Sequence, residues 1–223
     1  MEINKISDIK KYQKAHDSIF SKLITRKISV IFSFYLIKRW KQVTPNKVSL
    51  ISFITAVVAI GLFLADNYFV RLLGVVFLQI SFALDCSDGE IARIKEMSSK
   101  FGAWMDSVLD RFKEVMMFGA LTFIVYNYAW DTSALLIGSL AIILWLLVGF
   151  LREAKKSSWP EKRTAELYIT DNIYIGTVDT TIYFVCFAII IHMELMALWV
   201  FAILGLILLV KQIISAWQLE KKI

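Results

Sequence analysis

Residues 84–114 read LDCSDGEIARIKEMSSKFGAWMDSVLDRFKE, and they set four aspartates, Asp85, Asp88, Asp106 and Asp110, between two long apolar stretches. An ionisable side chain at bilayer depth costs at least about 2.5–3.5 kcal/mol on insertion scales and by default marks a functional site. Four of them in two short segments need a compensating charge. Asp85 and Asp88 are spaced i,i+3, and Asp106 and Asp110 i,i+4, so each pair shares one face of a helix. A short polar stretch separates the pairs, which makes the two helices antiparallel neighbours and lets all four carboxylates converge on one pocket. Hard oxygen ligands in this number suit Mg²⁺ or Mn²⁺, or Ca²⁺ where more oxygens are supplied. Two such ions about 3.5–4 Å apart would neutralise the carboxylates and still polarise a phosphate.

The rest of the chain explains why these charges lie so near a membrane. It has 223 residues, 58% of them hydrophobic, with a mean hydropathy of +0.63. Soluble domains are about 45–50% apolar, so an all-α integral membrane protein is expected. The net charge is +6; here it follows from the positive-inside rule, and no nucleic-acid partner is expected. Cys86 and Cys186 are far apart and suggest neither a disulfide framework nor a zinc site. No cleavable signal peptide is expected, because the first apolar run follows a polar, lysine-rich leader.

Residues 1–43 interleave Ile6, Ile9, Phe20, Leu23 and Ile24 with Lys10, Lys11, Lys14, Lys22, Arg26 and Lys27. That spacing predicts an amphipathic juxtamembrane segment lying on an anionic surface, the run Ile28–Ile37 being too short to span. Residues 44–223 form the second unit. Thr44-Pro45-Asn46 punctuates the chain, and six spans follow near 47–65, 68–90, 102–128, 133–151, 173–192 and 195–217. Of the 25 Lys and Arg residues, only Arg71 falls near one side; the others flank the opposite ends of the spans. The asymmetry predicts a multi-pass protein with both termini, and the aspartates, in the cytoplasm.

The residues among the aspartates point to a phosphate-bearing ligand. Gly89 follows Asp88, and Gly102 precedes Asp106 by one turn. A glycine inside a helix costs about 0.8–1 kcal/mol relative to alanine, a cost that close approach of a ligand would justify. Ala92 extends the small surface, and Arg93 brings a planar donor fork suited to phosphate. With two divalent ions, Arg93 and a diphosphate the local charge is about −1; without the ions it is near −5. A cation transporter or channel would also explain buried carboxylates. It would leave Gly89, Ala92, Arg93 and Gly102 without a role, and the cluster lies at one end of the spans, not at the midplane.

The pattern Asp85-x₂-Asp88-Gly89-x₂-Ala92-Arg93-x₈-Gly102-x₃-Asp106-x₃-Asp110 resembles the signature of the CDP-alcohol phosphotransferase family at every fixed position. The resemblance implies a membrane enzyme of phospholipid biosynthesis that moves a substituted phosphate from a CDP-linked lipid donor to a small alcohol and releases CMP. It further implies that Asp85, Asp88 and Asp106 hold the metal pair, that Asp110 contacts one metal and is the catalytic base, and that Gly89, Ala92, Arg93 and Gly102 line the CDP site. Homodimerisation is implied as well.

The acceptor is less legible. Lys100, Arg152, Lys155 and Lys156 could meet an anionic acceptor such as inositol phosphate or glycerol phosphate, as could Lys162 and Arg163. Positive-inside anchoring to lipid headgroups would also account for each of them. Some inositol-phosphate members of the family carry an arginine pair at the start of the fifth span. The corresponding stretch here, Gly176-Thr177-Val178-Asp179-Thr180-Thr181, has none. That departure favours a neutral or zwitterionic alcohol, such as a polyol or an amino alcohol, whose amine or hydroxyl Asp179 could greet.

Overall fold

The computed structural model describes residues 3, 5–14, 17–129, 132–159, 167–170 and 173–221. His16, Trp130, Asp131, Lys162 and Arg163 lie outside them. Six helices build the body: α3 (Pro45–Phe63), α4 (Tyr68–Ile94), α5 (Lys100–Ala129), α6 (Ser133–Ser158), α7 (Thr177–Ile190) and α8 (Glu194–Glu220). Two of them start where local chemistry favours it. Pro45 occupies the first turn of α3, where a missing N–H costs nothing. Asn67 caps α4, its side-chain oxygen accepting from the Phe69 and Val70 amides.

Each expected span corresponds to one of these helices, with three differences. Among the described residues, α3, α4, α6 and α8 are long and apolar enough to cross a membrane. Helix α7 is a shorter apolar helix, and α5 carries its charges in its N-terminal half. The fifth expected span also began too early. Residues Ile173–Ile175 are a strand, β3, which pairs antiparallel with β2 (Leu167–Thr170) and parallel with β1 (Asp17–Ser18) in the order β1-β3-β2. This small sheet is added to a chain that is otherwise helical, as expected. Its signal lies in LYITDNIYI, residues 167–175, whose β-branched and aromatic residues suit strands.

The core draws on all six of these helices, and its aromatic centre joins α5, α6 and α8. Trp145 donates its indole N–H to the Phe201 carbonyl at 3.0 Å, and its ring packs against Phe118 and Phe201 at centroid separations of 5.9 and 5.6 Å. This mid-helix tryptophan is a packing residue.

The N-terminal segment is not one amphipathic helix. A four-residue helix, α1 (Ile6–Ile9), leads into a 3₁₀ turn, strand β1, a π turn over Ser21–Thr25, and then α2 (Arg26–Arg39). Helix α2 buries Arg26, Ser29, Val30 and Ser33, while Ile28, Ile31 and Tyr35 point outward. Its inward face is therefore mostly polar. The reason is Glu90 on α4, which is 0% exposed. Its carboxylate accepts from Ser29 at 2.7 Å, Ser33 at 2.6 Å and Arg26 at 3.3 Å, and Arg26 also pairs with Asp17 at 2.5 Å. A carboxylate this deep persists only when it is paired and hydrogen-bonded.

Candidate active site

The turn between α4 and α5 is tight. Glu96 adopts φ 55°, and the Lys95 and Met97 amides return to the Ile91 and Ala92 carbonyls at 2.9 and 2.8 Å. This closes α4 with a left-handed residue, as helix C-termini commonly do, and sends α5 back along α4. One carboxylate oxygen from each of Asp85, Asp88 and Asp106 then lies within 4.8 Å of the others. Asp110, one turn beyond Asp106, lines the same cavity, whose volume is about 370 Å³.

Two contacts position this set. The Ser49 hydroxyl of α3 donates to Asp88 Oδ2 at 2.5 Å. The Lys113 ammonium, buried on α5, is bonded to Asp85 and lies 3.3 Å from Asp110 Oδ1. Lys113 therefore links the two helices at the point of highest negative charge.

Gly89, Ala92, Arg93 and Gly102 surround an adjoining cavity of about 160 Å³, with Asp88 and Asp106 on the shared wall. A Cβ at Gly102 would stand 3.1 Å from Ser99 Oγ and 3.2 Å from Asn46 Oδ1, and one at Gly89 would stand 3.4 Å from Arg93 Nη1. The missing side chains leave room beside the guanidinium. Arg93 Nε donates to the Tyr12 carbonyl, which holds the fork in place. Its Nη2 is buried and has no hydrogen-bond partner. A buried N–H left unpaired costs about 1–3 kcal/mol, a penalty that an oxygen-rich ligand would remove. An all-oxygen donor set beside an orphaned guanidinium N–H fits a hard divalent cation carrying a phosphate.

The basic candidates separate. Helix α6 runs to Ser158, so Arg152, Lys155 and Lys156 lie on a helix and not in the expected loop. Spaced i,i+4, Arg152 and Lys156 share a face and line the aspartate cavity. Lys155 faces the other way, donating to Gln212 at 2.6 Å on α8, so it is not placed to meet an acceptor. Lys100 is exposed at the start of α5 and lines neither cavity. Asp179 does line the larger one, and its carboxylate accepts from Ser21 at 2.8 Å.

Several site residues escaped the sequence. Lys14, Asp17, Ser21 and Arg26 reach the cavity from the N-terminal segment, which linear spacing could not connect to helices that follow it. Lys113 had a signal, its i,i+3 spacing from Asp110. Ser49 had none, because a serine inside an apolar helix is unremarkable until its neighbour is known.

Long apolar helices gathered beneath a carboxylate cluster define a membrane protein with a polar pocket at one end of the bundle. The sequence profile of the family described as CDP-alcohol phosphatidyltransferase matches residues 42–217, and the chain belongs to that family. A protein from Aquifex aeolicus named bifunctional IPC transferase and DIPP synthase is 35% identical over 131 residues, covering 54% of this chain and 29% of that protein. The archaetidylinositol phosphate synthase of Pyrococcus horikoshii is 36% identical over 100 residues, 44% of this chain and 50% of that one. The matches to the bifunctional relatives span less than a third of their length. The fold is also that of a crystal structure of the Mycobacterium tuberculosis phosphatidylinositol phosphate synthase with CDP-DAG bound. That likeness has a TM-score of 0.69 at 16% identity and covers 86% of this chain and 94% of the other.

Proposed function

We propose that this chain transfers a substituted phosphate from a CDP-linked lipid to a small alcohol, releasing CMP, as a step of phospholipid synthesis. One observation carries the proposal: three carboxylates converge within 4.8 Å beside a buried arginine N–H that lacks a partner. In this reading Asp85, Asp88, Asp106 and Asp110 hold two divalent ions, Mg²⁺ or Mn²⁺. The ions supply charge stabilisation for the diphosphate and for the CMP leaving group. Gly89, Ala92 and Gly102 admit the CDP moiety, and Arg93 meets its phosphate through Nη2. Asp110 takes the proton of the acceptor hydroxyl. The acceptor oxygen bonds to the lipid-bearing phosphorus as the bond to the bridging oxygen breaks.

The acceptor we favour is an inositol phosphate. Two of the relatives carry inositol phosphate in their names, and Lys14, Arg152 and Lys156 line this cavity, the last two paired with Glu153. Arg152 donates to Thr177 Oγ1 at 2.8 Å. A guanidinium from α6 thus stands at the first turn of α7, where the arginine pair of some family members is missing from this sequence. A screen of acceptors against a CDP-lipid donor, with CMP release as readout, tests the assignment. Inositol phosphate should be used in preference to free inositol, glycerol phosphate and serine. Turnover with an uncharged or amine-bearing acceptor instead would reject it.

The same reading places six spans in the membrane, residues 44–223 as the catalytic unit, and residues 1–43 at the interface, with α2 turning Ile28, Ile31 and Tyr35 toward lipid. Both termini and the pocket face the cytoplasm, as the Lys and Arg asymmetry supports, and the chain works as a homodimer. Cysteine-labelling from either side of sealed vesicles checks the orientation. Cation flux in proteoliposomes without CMP release would restore the transporter alternative.

A further inference from the structure

A second pocket lies at the other end of the bundle. Arg71 and Asp85 are both on α4, and at 1.5 Å per residue they are about 21 Å apart along its axis. Around Arg71 the first turns of α4 and α8 and the last turns of α5 enclose a mostly apolar cavity of about 830 Å³. Two opposite charges are buried in its wall, Arg71 at 5% exposure and Glu194 at 7%.

They lie within ion-pair range but are not hydrogen-bonded to each other. Arg71 Nη1 is 4.0 Å from Glu194 Oε1, beyond hydrogen-bond distance. The guanidinium is held elsewhere: its Nε donates to the Ala65 carbonyl at 2.8 Å, and its carbon sits 4.5 Å above the Tyr128 ring. Glu194 Oε1 is left buried with no hydrogen-bond partner. A desolvated carboxylate oxygen without a donor is costly and calls for one. Trp199 and Met196, both half-exposed, border the cavity on α8. The site therefore presents a fixed cation, a carboxylate lacking a donor, and an apolar surround opening outward.

We propose that this cavity binds the headgroup of an amine-bearing phospholipid. The ammonium donates to Glu194, the phosphate lies against Arg71, and an acyl chain follows the apolar wall past Trp199. The two buried charges match the two charges of the headgroup, while Asp66, the other carboxylate of the lining, is exposed and accepts from the Tyr128 hydroxyl. A choline headgroup offers no N–H and a glycerol headgroup no cation, so neither answers both residues. The site rests on the membrane placement proposed above, and it is independent of the chemistry at the aspartates.

The test uses the full chain, purified in detergent, delipidated and exposed to phosphatidylethanolamine, phosphatidylcholine or phosphatidylglycerol with matched acyl chains. Bound lipid is counted by native mass spectrometry. Phosphatidylethanolamine should be retained about tenfold over the other two, the advantage expected of one charge-assisted hydrogen bond. Glu194→Gln should abolish that selectivity, and Met196→Trp, which fills the cavity from its half-exposed rim, should remove the adduct for every headgroup. CMP release should stay at the wild-type level in both, so loss of lipid binding and loss of phosphotransfer are separable. Equal retention of the three lipids by the wild type would overturn the proposal without recourse to any variant. A selectivity that survives both substitutions would do the same.

Discussion

The Lys113 ammonium of α5 is bonded to the Asp85 carboxylate of α4, so the most acidic part of the molecule is crossed by a buried lysine. The same ammonium reaches Asp110. Lys113 thus carries part of the positive charge the aspartates require, and it does so from within the protein.

Removing that lysine should weaken the protein most when divalent ions are absent. Deleting one partner of a buried ion pair costs about 3–5 kcal/mol, because the remaining charge is left uncompensated. Lys113→Met should therefore lower the thermal midpoint strongly in chelator and much less with Mg²⁺ or Mn²⁺ present. Equal losses under both conditions would show that the lysine and the metals do not share a task.

Asp110 lines the cavity beside the three converging carboxylates. Asp110→Asn removes the proposed proton acceptor and leaves the other aspartates in place. CMP release should fall by about 10²–10⁴-fold, the usual contribution of a positioned base. Metal-dependent binding of the CDP-lipid, measured by calorimetry, should persist. Undiminished turnover would assign the base to another residue.

Chelating divalent ions should stop transfer altogether, and adding back Mg²⁺ or Mn²⁺ should restore it. An enzyme that keeps working in excess chelator would contradict the role proposed for the carboxylates.

Glu90 gathers Arg26, Ser29 and Ser33, and so ties the N-terminal segment to α4 one residue after Gly89. Glu90→Ala leaves Arg26 with Asp17 as its one acidic partner among the described residues. Limited proteolysis should then cut the segment before residue 40 faster than in the wild type. The apparent KM for donor should rise, because the Tyr12 carbonyl that fixes Arg93 comes from the same segment.

Glu96 holds a left-handed conformation that L residues adopt at a cost. Glu96→Gly should relieve about 1 kcal/mol. The thermal midpoint should rise by about 2–4 °C. A lower midpoint would mean that the glutamate side chain supports the turn in a way its backbone does not reveal.

The sequence alone determined the aspartate cluster, its placement on two antiparallel helices and the resemblance to a family, because those residues are separated by one or two helical turns and a short connection. Helical periodicity is local, so Asp85, Asp88, Asp106 and Asp110 can be assigned to faces without knowing anything else. The same periodicity separates Arg152 and Lys156 from Lys155 once α6 is known to continue past residue 151. Only the tertiary structure decided what lies opposite those faces. Ser49 comes to Asp88 from α3, Glu90 is met by the polar stripe of α2, and Lys14, Asp17 and Ser21 enter the cavity from residues that precede every span. The three-stranded sheet joins residues 17–18 to residues 173–175, a pairing across more than 150 positions. Such contacts depend on how helices pack and where the chain returns, and no spacing rule along the sequence encodes them. Arg71 shows the difference most plainly: along the chain it is a lone basic residue near a helix start, and in the fold it lies 4.0 Å from Glu194 in the wall of a cavity.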